Sequence, residues 1–151
     1  MNMIHVFQSA GLGVGPFKFN HVTAEGGHCQ YCATAILWRF YLTGSDGRTF
    51  YVGSDCVMKT GDAGLMRVVD AEVKRRMAEA RKRNDTAKLD ALRAALTDPA
   101  VQAVIASKPH PNAWHAQQGK TMWDYVLFMK RCAGKAGMLR LAKMVAKLTE
   151  V

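Results

Sequence analysis

The spacing of hydrophobic residues divides the chain into a β-rich first half and a helical second half. Apolar and polar residues alternate over residues 35–42 and again over residues 48–52, a pattern typical of antiparallel strands with one buried face. Residues 44–47 (Gly-Ser-Asp-Gly) separate the two runs, so together they predict a β-hairpin. Shorter strands are expected at residues 4–7 and 17–22.

The second half has the three- to four-residue spacing of amphipathic helices. This spacing predicts one helix from Leu65 onward and a second over about residues 85–96. Asp98-Pro99 starts a third helix, which ends near Ser107 because the following Lys-Pro-His-Pro stretch cannot continue it. A loop over residues 108–120 and a capping-box variant at Thr121 then precede the last helices.

These patterns predict an α+β fold. Its N-terminal half, residues 1–63, contains the clustered thiols Cys29, Cys32 and Cys56 and is expected to be a zinc-knuckle β-hairpin region. Residues 64–151 are expected to be a basic helical region of four to five helices. The two regions are expected to form one compact unit, given a chain of 151 residues.

Three of the four cysteines cluster between positions 29 and 56. Cys29-Gln-Tyr-Cys32 presents two thiols from one tight turn, and the hairpin returns the chain to a third thiol at Cys56. Cysteines in this pattern typically bind structural Zn²⁺, which takes four ligands. The fourth ligand is left open among five residues, of which His28 is preferred: His28, His21, Asp55, Asp62 and Cys132.

Two other interpretations of the thiols are a redox sensor and small, half-buried residues without a metal. A catalytic zinc ion with water in the fourth position is a further alternative. The H-x-E and P-C-x-x-C segments of zinc-dependent nucleobase deaminases do not occur in this sequence. A structural zinc ion and a protein without enzymatic activity are therefore expected.

The formal net charge of +9 lies entirely in the second half of the chain. Residues 1–63 carry four Lys/Arg and four Asp/Glu, so that half is neutral. A local excess of cations favours nucleic acid as the partner, with a simply solvated surface as the alternative. The predicted phosphate contacts are a helical ridge (Lys74, Arg75, Arg76, Arg81, Lys82, Arg83) and a second patch (Lys130, Arg131, Arg140, Lys143).

Two further segments offer aromatic groups. Arg39 and Tyr41 are expected on the outer face of the hairpin, where they could stack on bases or form the ordinary surface of a sheet. His110 and His115 flank a Pro-Asn-Ala-Trp stretch that is either a contact element or an anchor of its loop.

Two segments carry a resemblance to a known family: Cys29-Gln-Tyr-Cys32-Ala-Thr-Ala-Ile and Asp46-Gly-Arg-Thr-Phe-Tyr-Val-Gly-Ser-Asp-Cys56-Val. Together they resemble the knuckle of small zinc-finger-like proteins of tailed bacteriophages and prophages. The arrangement is similar to a treble clef, and the similarity is best over residues 29–64. The resemblance implies a zinc-binding fold with Cys29, Cys32 and Cys56 as ligands, and a phage setting. It implies no particular activity. In treble clefs the helix usually adds a ligand three residues on, where this chain has Lys59.

The function expected from the sequence is that of a zinc-stabilised, non-enzymatic nucleic-acid-binding protein, with DNA and RNA both possible. No membrane partner and no small-molecule substrate are expected. The chain has no apolar run of about 20 residues and no signal-peptide pattern, which favours the cytoplasm of a bacterial host. The first alternative is a protein-binding inhibitor of a host enzyme or defence complex such as a CRISPR effector. The second is a zinc-dependent enzyme with an open coordination site.

Overall fold

The computed structural model describes residues 4–150 and confirms the α+β class. A small antiparallel sheet lies in the N-terminal half and is followed mostly by helices. The chain forms two compact units, Met1–Ala78 and Glu79–Val151. Residues 1–3 and 151, which the predicted regions include, lie outside the described residues. Within residues 4–150, no helix combines the length and hydrophobicity needed to cross a membrane.

The elements of the first unit are α1 (Val6–Ser9), β1 (Lys18–Thr23), β2 (Gly27–His28), β3 (Ala35–Ile36), β4 (Arg39–Thr43), β5 (Thr49–Val52), α2 (Ser54–Met58) and the beginning of α3 (Ala63–Thr97). The second unit contains the rest of α3, then α4 (Pro99–Ser107), α5 (Ala113–Gln117), α6 (Met122–Cys132) and α7 (Lys135–Thr149).

The sheet of the first unit is built around the β4–β5 hairpin. Phe40 pairs with Val52 and Leu42 with Phe50, and all four side chains are buried, which is the face that the alternation predicts. Strand β1 pairs with the other edge of β4, so the strand order is β1-β4-β5. The predicted strand over residues 35–42 is interrupted, because β3 pairs with β2 in a separate two-stranded sheet.

The predicted strand at residues 4–7 is wrong, because this segment leads into the short helix α1. His5 is the N-cap, and its Nδ1 accepts a hydrogen bond from the Phe7 backbone N–H at 3.2 Å. Such a side-chain bond satisfies an otherwise unpaired N–H at the start of a helix. The Phe7 ring packs against the ring of Phe17, with centroids 5.8 Å apart, and against that of Phe50, with centroids 5.3 Å apart.

Helix α3 is one continuous helix of 35 residues where the sequence predicts two. Its middle, residues 81–86, reads Arg-Lys-Arg-Asn-Asp-Thr and contains neither Gly nor Pro, so no residue there forces the helix to end. In the first unit, Leu65 and Val69 of α3 pack into the core with Val57 of α2.

The second unit begins its helices where the capping residues predict. Asp98 accepts a hydrogen bond from the Ala100 N–H at 2.8 Å at the start of α4. Asp124 accepts one from the Thr121 N–H at 2.7 Å at the start of α6. The predicted loop over residues 108–120 contains the helix α5, whose N-cap is Asn112. The core of this unit includes Ile105 of α4.

Candidate metal centre

The three cysteines that are close in the sequence also lie close together in space. Their sulfur atoms are all within 4.8 Å of one another. The Sγ atom of Cys56 is 3.6 Å from that of Cys29 and 3.2 Å from that of Cys32. Both distances are well beyond the roughly 2.05 Å of a disulfide. Zn–S bonds of about 2.3 Å in a tetrahedron place sulfurs about 3.8 Å apart, so small shifts would fit the three thiols around one metal ion.

A tight turn brings Cys29 and Cys32 to the same side of the chain. The Cys29 N–H donates to the Thr34 carbonyl and the Ala33 N–H donates to the Cys29 carbonyl, each at 2.8 Å. Ala33 has a φ of 59°, the left-handed conformation that closes the turn. The two-residue spacing therefore forms a tight turn that presents both thiols, and the zinc knuckle itself stays a prediction.

Two hydrogen bonds attach this knuckle to β5. The Gln30 N–H donates to the Tyr51 carbonyl at 3.2 Å, and Gln30 Oε1 accepts from the Tyr51 N–H at 2.8 Å. The chain then turns at Gly53 into α2, which carries Cys56. A Cβ atom at Gly53 would lie 2.8 Å from Ile36 Cγ2, so this close approach requires glycine.

The surroundings of the three thiols differ. Cys29 is 2 % exposed and its Sγ accepts a hydrogen bond from the Gly53 N–H at 3.5 Å. Hydrogen bonds from the side chain and backbone of Thr34 and from Cys56 lower the pKa of the exposed Cys32 to about 6. Burial, followed by its bonds to the other two thiols, raises the pKa of Cys56 to about 12. A cation that binds here must displace the Cys56 proton, because metals bind thiolates.

The two histidines proposed as fourth ligands lie on strands near the knuckle. His28 is exposed on β2, opposite Ala35. His21 is exposed on β1 and its ring stacks on Tyr41, with centroids 4.5 Å apart. Neither imidazole joins the three-thiol group, so the preference for His28 stays a prediction.

The other proposed ligands have different surroundings. Asp55 is exposed in the first turn of α2, and Asp62 Oδ1 accepts a hydrogen bond from the Leu65 N–H at 3.0 Å. Cys132 is exposed at the end of α6 in the second unit. Over residues 4–150, the three cysteines are the only group of three or more metal-binding side chains whose ligand atoms lie close together.

The structure divides the predicted phosphate-binding ridge into paired and exposed cations. Arg76 is half-buried, and its guanidinium donates to the Val22 carbonyl at 2.8 Å and to Glu72 at 3.0 Å. Arg75 also donates to Glu72, and Lys74 forms an ion pair with a carboxylate one turn earlier in α3. In this part of the ridge, the cations are therefore engaged within the protein.

The remaining ridge residues, Arg81, Lys82 and Arg83, are exposed on α3 in the second unit. The salt bridges found between residues 4 and 150 involve none of the three. The members of the second predicted patch are also exposed: Lys130, Arg131, Arg140 and Lys143. These side chains are open to an anionic partner.

On the outer face of the hairpin, Arg39 already has several partners. Its guanidinium lies 4.7 Å from the centroid of the Tyr51 ring and forms a 2.8 Å ion pair with Glu25. It also donates to the Gly26 carbonyl. Tyr41 is covered on one side by His21. Base stacking on this face stays a prediction.

Sequence reasoning missed a groove on the second unit, although it had noted the His-Pro-Asn-Ala-Trp-His stretch beside it. His110 and His115 line this groove together with Arg131 of the second patch. The signal in the sequence was weak, because two prolines and an aromatic residue also occur in loops that only pack against a core.

Comparison of the chain with family models, with curated proteins and with solved structures finds no match. The resemblance to phage zinc-finger-like proteins therefore stays a prediction, and the established finding is a cluster of three cysteines that could hold a metal ion.

Proposed function

We propose that this is a non-enzymatic nucleic-acid-binding protein whose first unit is stabilised by one structural zinc ion, and that it acts in the cytoplasm of a bacterium, encoded by a phage. The three-thiol cluster is the observation that supports the metal. Thiolate ligands select Zn²⁺, Cu(I) or iron–sulfur clusters, and Zn²⁺ is the metal that closed structural sites with cysteine ligands typically hold. Sites rich in cysteine ligands are typically structural, which supports the non-enzymatic role.

The exposed cations of the second unit support nucleic acid as the partner. Arg81, Lys82 and Arg83 protrude from one stretch of α3, and the chain as a whole carries a charge of +9. Binding to phosphates releases condensed counterions, so affinity falls as salt rises. Lys74, Arg75 and Arg76 contribute less in this proposal, because carboxylates or a backbone carbonyl already engage them.

The test is a titration of nuclease-treated protein into labelled single- and double-stranded DNA and RNA over a range of salt concentrations. Each phosphate contact contributes about −0.9 to the slope of log affinity against log salt for duplex DNA. Changing Arg81, Lys82 and Arg83 to Gln should therefore make the slope shallower by about 2.7. A control variant with Lys18, Arg48 and Lys59 changed to Gln loses the same charge from the first unit and should keep the slope.

Absence of binding at low salt would overturn the nucleic-acid proposal. Capture of a partner from a nuclease-treated bacterial lysate would then favour the protein-binding inhibitor. Turnover that is lost when Cys32 is changed to Ser would favour the zinc-dependent enzyme.

A further inference from the structure

The second unit contains an open groove of about 650 Å³ between the α4–α6 connection and α6. Its lining combines aromatic, imidazole and cationic side chains, which include His110, His115, Lys120, Tyr125, Phe128 and Arg131. This mixture differs from the apolar lining of an unfilled core and from the run of cations at residues 81–83 of α3.

Hydrogen bonds hold the connection that forms one wall of the groove. The His110 N–H donates to the Lys120 carbonyl at 3.1 Å, and the Asn112 N–H donates to His110 Nδ1 at 3.0 Å. Asn112 also caps α5 by accepting a hydrogen bond from the Trp114 N–H at 3.0 Å. The imidazole and indole rings are therefore presented from a structured segment.

One large aromatic side chain in the lining faces solvent, and another lies next to a lining residue. Phe128 in the lining is 58 % exposed, and Trp114, which is not in the lining, is 59 % exposed. The Trp114 ring contacts that of the lining residue His115, with centroids 4.8 Å apart. Leu127 in the lining is also exposed. Exposed apolar surface concentrated at one place commonly marks a binding site.

The charges of the groove favour an anionic ligand. Lys120 and Arg131 are opposed by one carboxylate, Asp124, whose Oδ2 already accepts hydrogen bonds from the backbone and hydroxyl of Thr121. Burial, followed by the nearby Lys120 and His110, lowers the pKa of His115. Its Nδ1 is buried without a hydrogen-bond partner in the described structure, so no bond fixes that side of the ring.

We infer that this groove binds a nucleotide unit of single-stranded nucleic acid, with a base stacked on Phe128 or Trp114 and its phosphate paired with Lys120 and Arg131. The inference rests on the proposed function and specifies a site for it. Bases in a single strand expose their faces to aromatic side chains, and a cationic groove follows the backbone. In a duplex those faces are covered, so the ridge on α3 and this groove should prefer different forms of nucleic acid.

The experiment compares the binding of a fluorescein-labelled oligothymidylate of about ten nucleotides with that of a labelled DNA duplex, using the full chain. At least one of the variants Trp114→Ala and Phe128→Ala is expected to weaken oligothymidylate binding by about 5- to 150-fold, because stacking contributes about 1–3 kcal/mol per base. Both side chains are exposed, so the variants should fold, which circular dichroism checks. Met77→Ala, 56 % exposed on α3 in the first unit, is the matched control and should bind normally.

A second readout is the NMR titration of the histidine rings with oligothymidylate. Resonances of His110 and His115 should shift, and a phosphate placed near Lys120 should raise the pKa of His115. Unchanged oligothymidylate affinity in both alanine variants would overturn the inference that the groove binds single-stranded nucleic acid, and would favour another ligand such as a peptide. Binding of the DNA duplex would still support the proposed function in that case. Failure of the wild-type chain to bind either nucleic acid would refute both.

Discussion

Removal of the proposed zinc ion is expected to destabilise the first unit strongly. A bound ion would join Cys29 and Cys56, which are 27 positions apart, and so close a loop of the chain. The chain-entropy relation used for cross-links gives about 3.5 kcal/mol of stabilisation for a loop of this size at 25 °C. In a unit of 78 residues, this loss corresponds to a fall of about 14–28 °C in melting temperature.

The cleanest substitution for this test is Cys32→Ser. Cys32 is the exposed thiol of the cluster, so its replacement removes a ligand with little loss of packing, whereas Cys29 and Cys56 are buried. Ser9→Ala is the control, because Ser9 is also exposed in the first unit and is not among the proposed ligands. The wild-type chain and the control should contain one zinc ion, and Cys32→Ser should lose zinc affinity and melt lower.

The assay combines zinc analysis, thermal unfolding with and without a chelator, and hydrogen exchange to assign the loss to residues 4–78. Cobalt substitution adds a spectroscopic count of the thiolate ligands. A melting temperature that is unchanged after verified removal of the metal would refute the reasoning. So would full zinc occupancy in Cys32→Ser.

Three further predictions follow from single side chains. Gly53→Ala would place a Cβ atom 2.8 Å from Ile36 Cγ2 and should cost about 1–3 kcal/mol by overpacking; an undisturbed urea midpoint would contradict this. Arg76→Gln should lower stability by about 1.5–3 kcal/mol, because a half-buried charge-assisted hydrogen bond is lost, and leave nucleic-acid affinity nearly unchanged, whereas Arg81→Gln should show the reverse. Hydrogen bonds from the backbone and hydroxyl of Thr121 at the α6 capping box lower the pKa of Asp124 from its ordinary value, so this carboxylate stabilises the fold fully above its unfolded-state pKa and loses its effect as the pH falls through the folded pKa. Asp124→Asn should therefore melt lower at neutral pH, with a difference from the wild type that shrinks on acidification.

Much of the candidate site could be predicted because its parts are local. The knuckle depends on two cysteines three positions apart and on a turn between them. The third thiol is brought back by a hairpin whose alternating residues and Gly-rich turn are both visible in the sequence. The fourth ligand could not be predicted, since it depends on which side chain meets the cluster from another element.

The ridge on α3 shows where a pattern of charge is insufficient. Seven-residue spacing places residues 74–76 and 81–83 on common faces of a helix, and sequence alone treats them alike. The structure pairs Arg76 with the Val22 carbonyl, a residue 54 positions away, and leaves Arg81 exposed. No residue near Arg76 in the chain signals this contact.

The sequence by itself determined the α+β class, the β4–β5 hairpin, the tight turn between Cys29 and Cys32 and the capped starts of α4 and α6, because each depends on residues within a few positions of one another or on a short periodic pattern. Only the tertiary structure decided the pairing of β1 with β4, the attachment of the knuckle to β5 through Gln30 and Tyr51, and the groove beside Phe128. These features require distant segments to meet, and the choice among possible partners depends on the packing of a whole unit rather than on local preference.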